Sequence, residues 1–221
     1  MQSQTIIAFG DVHGIFQAAE KAVSYAESIQ AQAIFLGDYV DRGKESMEVI
    51  ELLIDAKKRH PDWKFLIGNH DFMLLNLIQG KEDPEGNDYK TKEDSFLKWM
   101  QLASQKQNSI AEFLSSLDGY YENDDFIFVH GILRETNEAI QNKTLKELIW
   151  NYEYSPYWSG KYFIHGHLPV DDVKAIGKGI NINTSCGYAW GHLTGLEYEK
   201  GKLNECRLIK IDKGEITISK N

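Results

Sequence analysis

Three times in the first seventy residues an apolar, strand-like run stops at a glycine followed at once by aspartate or asparagine. Residues 5–9 end at Gly10-Asp11, residues 33–36 at Gly37-Asp38, and residues 64–67 at Gly68-Asn69. Between the runs, apolar side chains recur at helical spacing: Ala18, Ala19, Ala22, Val23 and Ala26 within 15–29, then Met47, Val49, Ile50, Leu53 and Ile54 within 44–59, where His60-Pro61 ends the pattern. Strand, helix, strand, helix, strand at this spacing predicts βαβ units and a parallel sheet. Loops leaving the carboxyl ends of such strands are the usual place for chemistry, and each of these loops starts with a polar residue able to bind a cation.

The pattern changes after Asp71. Residues 72–78 read as helix, 79–95 as an exposed polar loop containing Pro84 and Gly86, and 96–117 as one or two helices with a break near Asn108. This block, about 72–117, is expected to be a helical insertion over the site. Strand-like runs return at 126–129, before His130-Gly131, and at 162–164, before His165-Gly166-His167. From Lys174 onward, turns at Gly177-Lys178-Gly179, Lys200-Gly201 and Lys213-Gly214 predict antiparallel hairpins. The reading is α/β, one domain over 1–221, with a parallel half and a meandering half.

Charge narrows the partners. A net charge of -9 and a pI near 5.3 argue against a nucleic-acid partner, which needs a basic face. Two cysteines form no zinc module or disulfide framework, and no apolar run reaches membrane length. A cytoplasmic protein with no membrane partner, monomeric by default, is the expectation.

Asp11 and His13 lie two apart, so an extended chain points both to one side. Asp38 has two oxygens and could bridge two ions; Asn69 offers an amide oxygen, His130 and His167 offer imidazoles. Oxygen and nitrogen ligands without thiolate suit manganese, iron or zinc. Two divalent ions, set against Asp11, Asp38 and a hydroxide, leave a charge of about +1, which suits a phosphomonoester dianion.

In order, GDVHG, GDYVDRG, GNHD, VHG and GH resemble the motifs of the calcineurin-like metallophosphoesterases, over residues 6 to about 190. The intact GDYVDRG is similar to the phosphoprotein phosphatase branch, especially small bacterial and phage serine/threonine phosphatases. The resemblance implies a four-layer sandwich, two mixed β-sheets face to face with helices outside. It implies that Asp11, His13 and Asp38 hold one metal, and Asp38, Asn69, His130 and His167 the second. A hydroxide between two metals would attack phosphorus in line, Arg42 would clamp a phosphate oxygen with its forked donors, and His70, oriented by Asp41, would protonate the leaving oxygen. Other branches use Gly-His-X-His for two ligands; here Pro169 takes that second place, so His165 is expected outside the ligand set, as are His60 and His192.

One departure matters. Where small phage-type phosphatases carry a second arginine in a Trp-Asn-Arg-like segment, this chain has Trp150-Asn151-Tyr152. A phenol gives one hydrogen bond and neither charge nor fork. Arg134 is a candidate to compensate, and Tyr152, Tyr154, Tyr157 and Trp158 are candidates to stack on an aromatic or nucleoside group. The leading expectation is a phosphomonoesterase for phosphoserine or phosphothreonine in proteins, or for a small phosphorylated substrate. The alternatives are a symmetrical diadenosine tetraphosphate hydrolase and a non-catalytic metal-binding module.

Overall fold

The computed structural model describes residues 4–81, 94–134, 139–153, 158–202 and 205–220. Pro84 and Gly86 of the expected loop, and Tyr154 and Tyr157 of the expected aromatic segment, lie outside the described residues.

The alternating unit is present: β1 (Thr5–Phe9), α1 (Phe16–Ser28), β2 (Gln32–Phe35), α2 (Ser46–Arg59) and β3 (Lys64–Phe65), with β1, β2 and β3 parallel. A second half follows: α3 (Asn69–Ile78), α4 (Ser95–Met100), α5 (Ser104–Ser115), β4 (Tyr120–Glu122), β5 (Ile127–Val129), α6 (Leu145–Ile149), β6 (Phe163–His165), β7 (Lys174–Ile176), β8 (Gly179–Asn181), β9 (Leu193–Glu199), β10 (Arg207–Asp212) and β11 (Glu215–Lys220). One sheet runs β11-β10-β9-β1-β2-β3 and the other β4-β5-β6-β8-β7. Both are mixed: β9 lies antiparallel to β1, while β5, β6 and β8 are parallel with antiparallel β4 and β7 at the edges. The meander therefore divides, β7 and β8 joining one sheet and β9 to β11 the other.

The period of two along each strand explains the layers. Ile6 and Ala8 of β1, with Ile34, Phe128 and Ile164, fill the space between the sheets. Their neighbours Ile7, Phe9, Ala33 and Phe35 turn the other way, into a core with the apolar faces of α1 and α2. Both faces of the central strands are buried, so they read as continuous apolar runs. The result is helix, sheet, sheet, helix.

Two boundaries differ from expectation. Helix α3 starts at Asn69 rather than at residue 72, because Asp71, in its first turn, accepts the N–H of Gly68 at 2.9 Å and sits where a carboxylate favours a helix start. The break in the insertion falls between α4 and α5, and Asn108 lies inside α5. There Trp99 Nε1 donates to Gln107 O at 3.2 Å while Gln107 Nε2 donates back to Trp99 O and Met100 O, closing an elbow.

Candidate functional site

The loops after β1, β2 and β3 meet those after β5 and β6, and five of their residues take left-handed backbone: His13 (φ 48), Asp38 (φ 52), Asp41 (φ 72), Arg42 (φ 63) and His167 (φ 69). Such conformations cost of order 1–3 kcal/mol each and persist where the surroundings impose them. Two glycines permit the approach. A Cβ on Gly68 would lie 2.1 Å from Asp38 Oδ1, and one on Gly166 would lie 2.0 Å from Asp11 Oδ1.

All six expected ligands converge, and all are buried. His13 Nε2 lies 3.8 Å from Asp11 Oδ2 and 3.5 Å from Asp38 Oδ2; His130 Nε2 lies 3.4 Å from Asp38 Oδ2 and 3.1 Å from Asn69 Oδ1. His167 Nδ1 is 2.9 Å from the same amide oxygen. Asp38 thus stands between two groups of donors, Asp11 and His13 to one side, Asn69, His130 and His167 to the other.

The imidazoles are set up to bind a cation. His13 Nδ1–H donates to Val40 O and His130 Nδ1–H to Leu36 O, each at 3.0 Å. A carbonyl only accepts, so in the neutral rings Nε2 carries the lone pair that points inward, as metal-binding histidines require. Arg42 already presents Nη1 to that nitrogen of His13. The buried Nε2 of His167 has no hydrogen-bond partner among the described residues. Carboxylates, an amide oxygen and inward lone pairs fit two hard or borderline divalent ions.

Electrostatics of the metal-free protein report the same crowding. Burial pushes Asp11 up to about 6, against the pull of His130. Burial also opposes ionisation of Asp38, yet the charges of His130 and His70 outweigh it and hold this carboxyl well below the usual range. His130 rises to about 9 because Asp38 overcomes its burial, whereas burial beside His130 lowers His167 to about 3.

The remaining expected residues are also placed. His70 Nδ1 is 2.7 Å from Asp41 Oδ2, and its ring stands edge-on to that of His13, centroids 5.0 Å apart. Tyr152, 52% exposed, lies with its ring 4.3 Å from that of His167. Arg134 is exposed and its guanidinium engages Glu153 at 2.5 Å rather than the ligand cluster. Trp158 packs edge-on against Phe163. His165 is buried, its Nδ1–H donating to Gly166 O at 2.9 Å. His60 caps α2 and contacts Glu27 at 2.8 Å.

Four supporting residues were not anticipated. Asp71 accepts the N–H groups of Asp38, Tyr39 and Gly68 at 2.7, 2.9 and 2.9 Å, binding the second and third loops together. Asn183 Nδ2 donates to Asp11 Oδ2 at 2.6 Å, Ser95 Oγ to Asp41 Oδ1 at 2.6 Å, and Tyr188 lies under Arg42 with 4.7 Å between guanidinium carbon and ring centroid. Asp71 had a signal, being the fourth letter of GNHD; the others sit in segments without a motif.

Residues 4–201 match the calcineurin-like phosphoesterase family, and the chain belongs to that family of metal-dependent phosphoric ester hydrolases. A bis(5'-nucleosyl)-tetraphosphatase PrpE [asymmetrical] of Oceanobacillus iheyensis is 25% identical over 209 residues, covering 80% of this chain and 82% of the relative. Among solved structures, a candidate diadenosine tetraphosphatase superposes with a TM-score of 0.65 at 15% identity, covering 100% of this chain and 95% of that one. A protein serine/threonine phosphatase of Saccharomyces cerevisiae gives 0.63 at 17%, covering 98% and 79%. A cold-active protein-tyrosine phosphatase of a Shewanella species gives 0.61 at 16%, covering 98% and 80%. These three likenesses establish shared architecture.

Proposed function

We propose that this chain hydrolyses dinucleoside polyphosphates, with water adding to one phosphorus as a P–O–P bond breaks. The observation that carries the choice is Tyr152. Its ring lies over His167, where a protein phosphatase of the resembling type would hold a second arginine. A phenol in that place forfeits a charged clamp on a compact phosphate dianion but offers a flat face to a nucleoside. The similarity to a nucleosyl-tetraphosphatase supports the same reading.

Two divalent ions, held by Asp11, His13, Asp38, Asn69, His130 and His167, would supply positive charge and activate water near neutral pH. Around them, this chain's own residues do the rest. Asn183 and the backbone N–H of His167 fix Asp11, and Asp71 fixes the loop of Asp38. Arg42, which rests on the Tyr188 ring and places Nη1 against His13 Nε2, would turn its forked donors to a phosphate oxygen once a cation holds that nitrogen. His70, its Nδ1–H committed to Asp41, passes a proton from Nε2 to the departing phosphate oxygen. Manganese is the metal we favour, with iron or zinc as substitutes.

Hydrolysis of phosphoserine or phosphothreonine proteins is the second reading, favoured by the intact GDYVDRG loop that places Arg42 and Asp41. Diadenosine tetraphosphate and a phosphoserine peptide, each assayed with added manganese, separate the two. At least tenfold higher kcat/KM on the dinucleotide is expected; the reverse preference overturns the first reading. The products add the mode of cleavage, ADP alone for symmetrical hydrolysis or ATP with AMP for asymmetrical.

A further inference from the structure

Arg42, Tyr188 and Trp190 form a continuous stack that leads from the ligand cluster to the surface. The Arg42 guanidinium carbon is 4.7 Å from the Tyr188 centroid, and the Tyr188 and Trp190 rings lie 5.0 Å apart at 28°. Trp190 is 66% exposed, more than any other large hydrophobic side chain among the described residues. We propose that Tyr188 and Trp190 are specificity-determining residues, a platform on which a nucleobase of the substrate stacks while Arg42 holds a phosphate. The proposal rests on the dinucleoside polyphosphate reading.

Three observations support it. The first is placement. Arg42 also touches His13, so the platform joins the ligand cluster through one side chain. Gly187, which begins the loop, backs directly onto both: a Cβ there would fall 2.8 Å from His13 Cβ and 3.3 Å from Arg42 Cβ.

The second is rigidity. Tyr188 N–H donates to Ser185 O at 3.0 Å, Gly191 N–H to Tyr188 O at 3.1 Å, and His192 N–H to Thr184 O at 3.0 Å. A Cβ on Gly191 would collide with Ser185 O at 1.7 Å. The tryptophan is therefore presented from a closed turn, and little conformational entropy remains to be lost on binding.

The third is chemistry. An exposed indole stacked on a phenol has one broad face left, and every nucleobase has a π-face to meet it. A peptide side chain next to a phosphoserine has no such general requirement.

Tryptophan fluorescence tests this without turnover. Trp63 and Trp150 are buried and Trp99 and Trp158 half-buried, so Trp190 is the tryptophan best placed to report on a base, and its replacement identifies its share of the signal. With divalent ion held constant, AMP is expected to quench the native protein strongly and ribose 5-phosphate weakly, and Trp190→Phe is expected to lose the difference. Equal effects of AMP and ribose 5-phosphate on the native protein would overturn the platform, even if dinucleotide hydrolysis proceeds. Conversely, AMP-specific quenching in a protein that hydrolyses only phosphopeptide would overturn the proposed function and leave the base site standing.

Kinetics give a second readout. In Trp190→Ala the KM for diadenosine tetraphosphate should rise roughly tenfold or more relative to that for inorganic tripolyphosphate, which has no base. Equal change for both substrates speaks against the platform. A thermal melt matching native shows that either variant is folded.

Discussion

His70 and Asp41 meet across two strand-end loops, Nδ1 to Oδ2 at 2.7 Å, and Ser95 from the helical insertion donates to the other oxygen of the same carboxylate at 2.6 Å. Burial disfavours the charged imidazole, but Asp38 and Asp41 outweigh it, so the His70 pKa stands above its ordinary value. A raised pKa and a ring held in one orientation by Asp41 suit a general acid. Replacing His70 with Asn should lower kcat by about 10²–10⁴ on substrates with a poor leaving group, and much less on one whose leaving group needs no proton. Steady-state rates across a leaving-group series check this; a uniform loss would deny His70 the acid role.

Asp71 gives a stability prediction. Its carboxylate accepts three backbone N–H groups in a site where it is itself buried. Asp71→Ala orphans them, at about 1–3 kcal/mol for each group left buried and unpaired. Asp71→Asn keeps one acceptor oxygen and should fall between. Thermal melts of the two variants should rank native, Asn, Ala, and divalent-ion affinity should fall in the same order, because Asp38 loses its anchor. An Ala variant as stable as native would show that the loops hold without the bridge.

Tyr152 tests the substrate choice from the other side. Tyr152→Arg puts a charged fork over His167, and charged hydrogen bonds to phosphate run at roughly twice the strength of neutral ones. Phosphopeptide kcat/KM should rise about tenfold while the dinucleotide loses ground. No change on either substrate would remove Tyr152 from substrate recognition.

These supports show where sequence was legible. The first five elements were, because their apolar runs have helical or strand length and end at Gly-Asp or Gly-Asn. The second sheet was less so: β4 to β8 have three residues each, and β7 is exposed along its length, leaving no alternation to read. The six converging donors announced themselves as motifs. Their braces did not, since Asn183 reaches Asp11 across 172 residues and Ser95 reaches Asp41 across 54. The partner of Arg134 was hidden for a related reason: Glu153, nineteen residues on, stands beside it only once the chain after α6 has folded back.

Metal removal should change how stability depends on pH. In the metal-free protein His130 is raised to about 9 from an ordinary 6.5, so its contribution is complete below 6.5 and disappears as pH climbs through about 9. Asp11, raised to about 6, and Asp71, raised to about 7, act in the same direction, because each must ionise in the fold against its burial. Asp38 opposes them only below its ordinary 3.8, where lowering the pH protonates it in the unfolded chain first. Burial lowers His13, His165 and His167, so these rings oppose the trend at pH below about 6.5, where only the unfolded chain protonates them. The metal-free melting temperature should therefore decline between pH 7 and pH 9, where His130 dominates. A divalent ion held by these residues would displace the proton of His130 and offset the charge of Asp11 and Asp38, so its stabilising effect should grow over the same interval, with protons released on binding. Differential scanning calorimetry with and without manganese at several values from about pH 7 to about pH 9 checks the trend, and titration in weak buffer counts the protons. A metal-free protein that gains stability from pH 7 to pH 9 would mean that His130 does not carry its charge against Asp38.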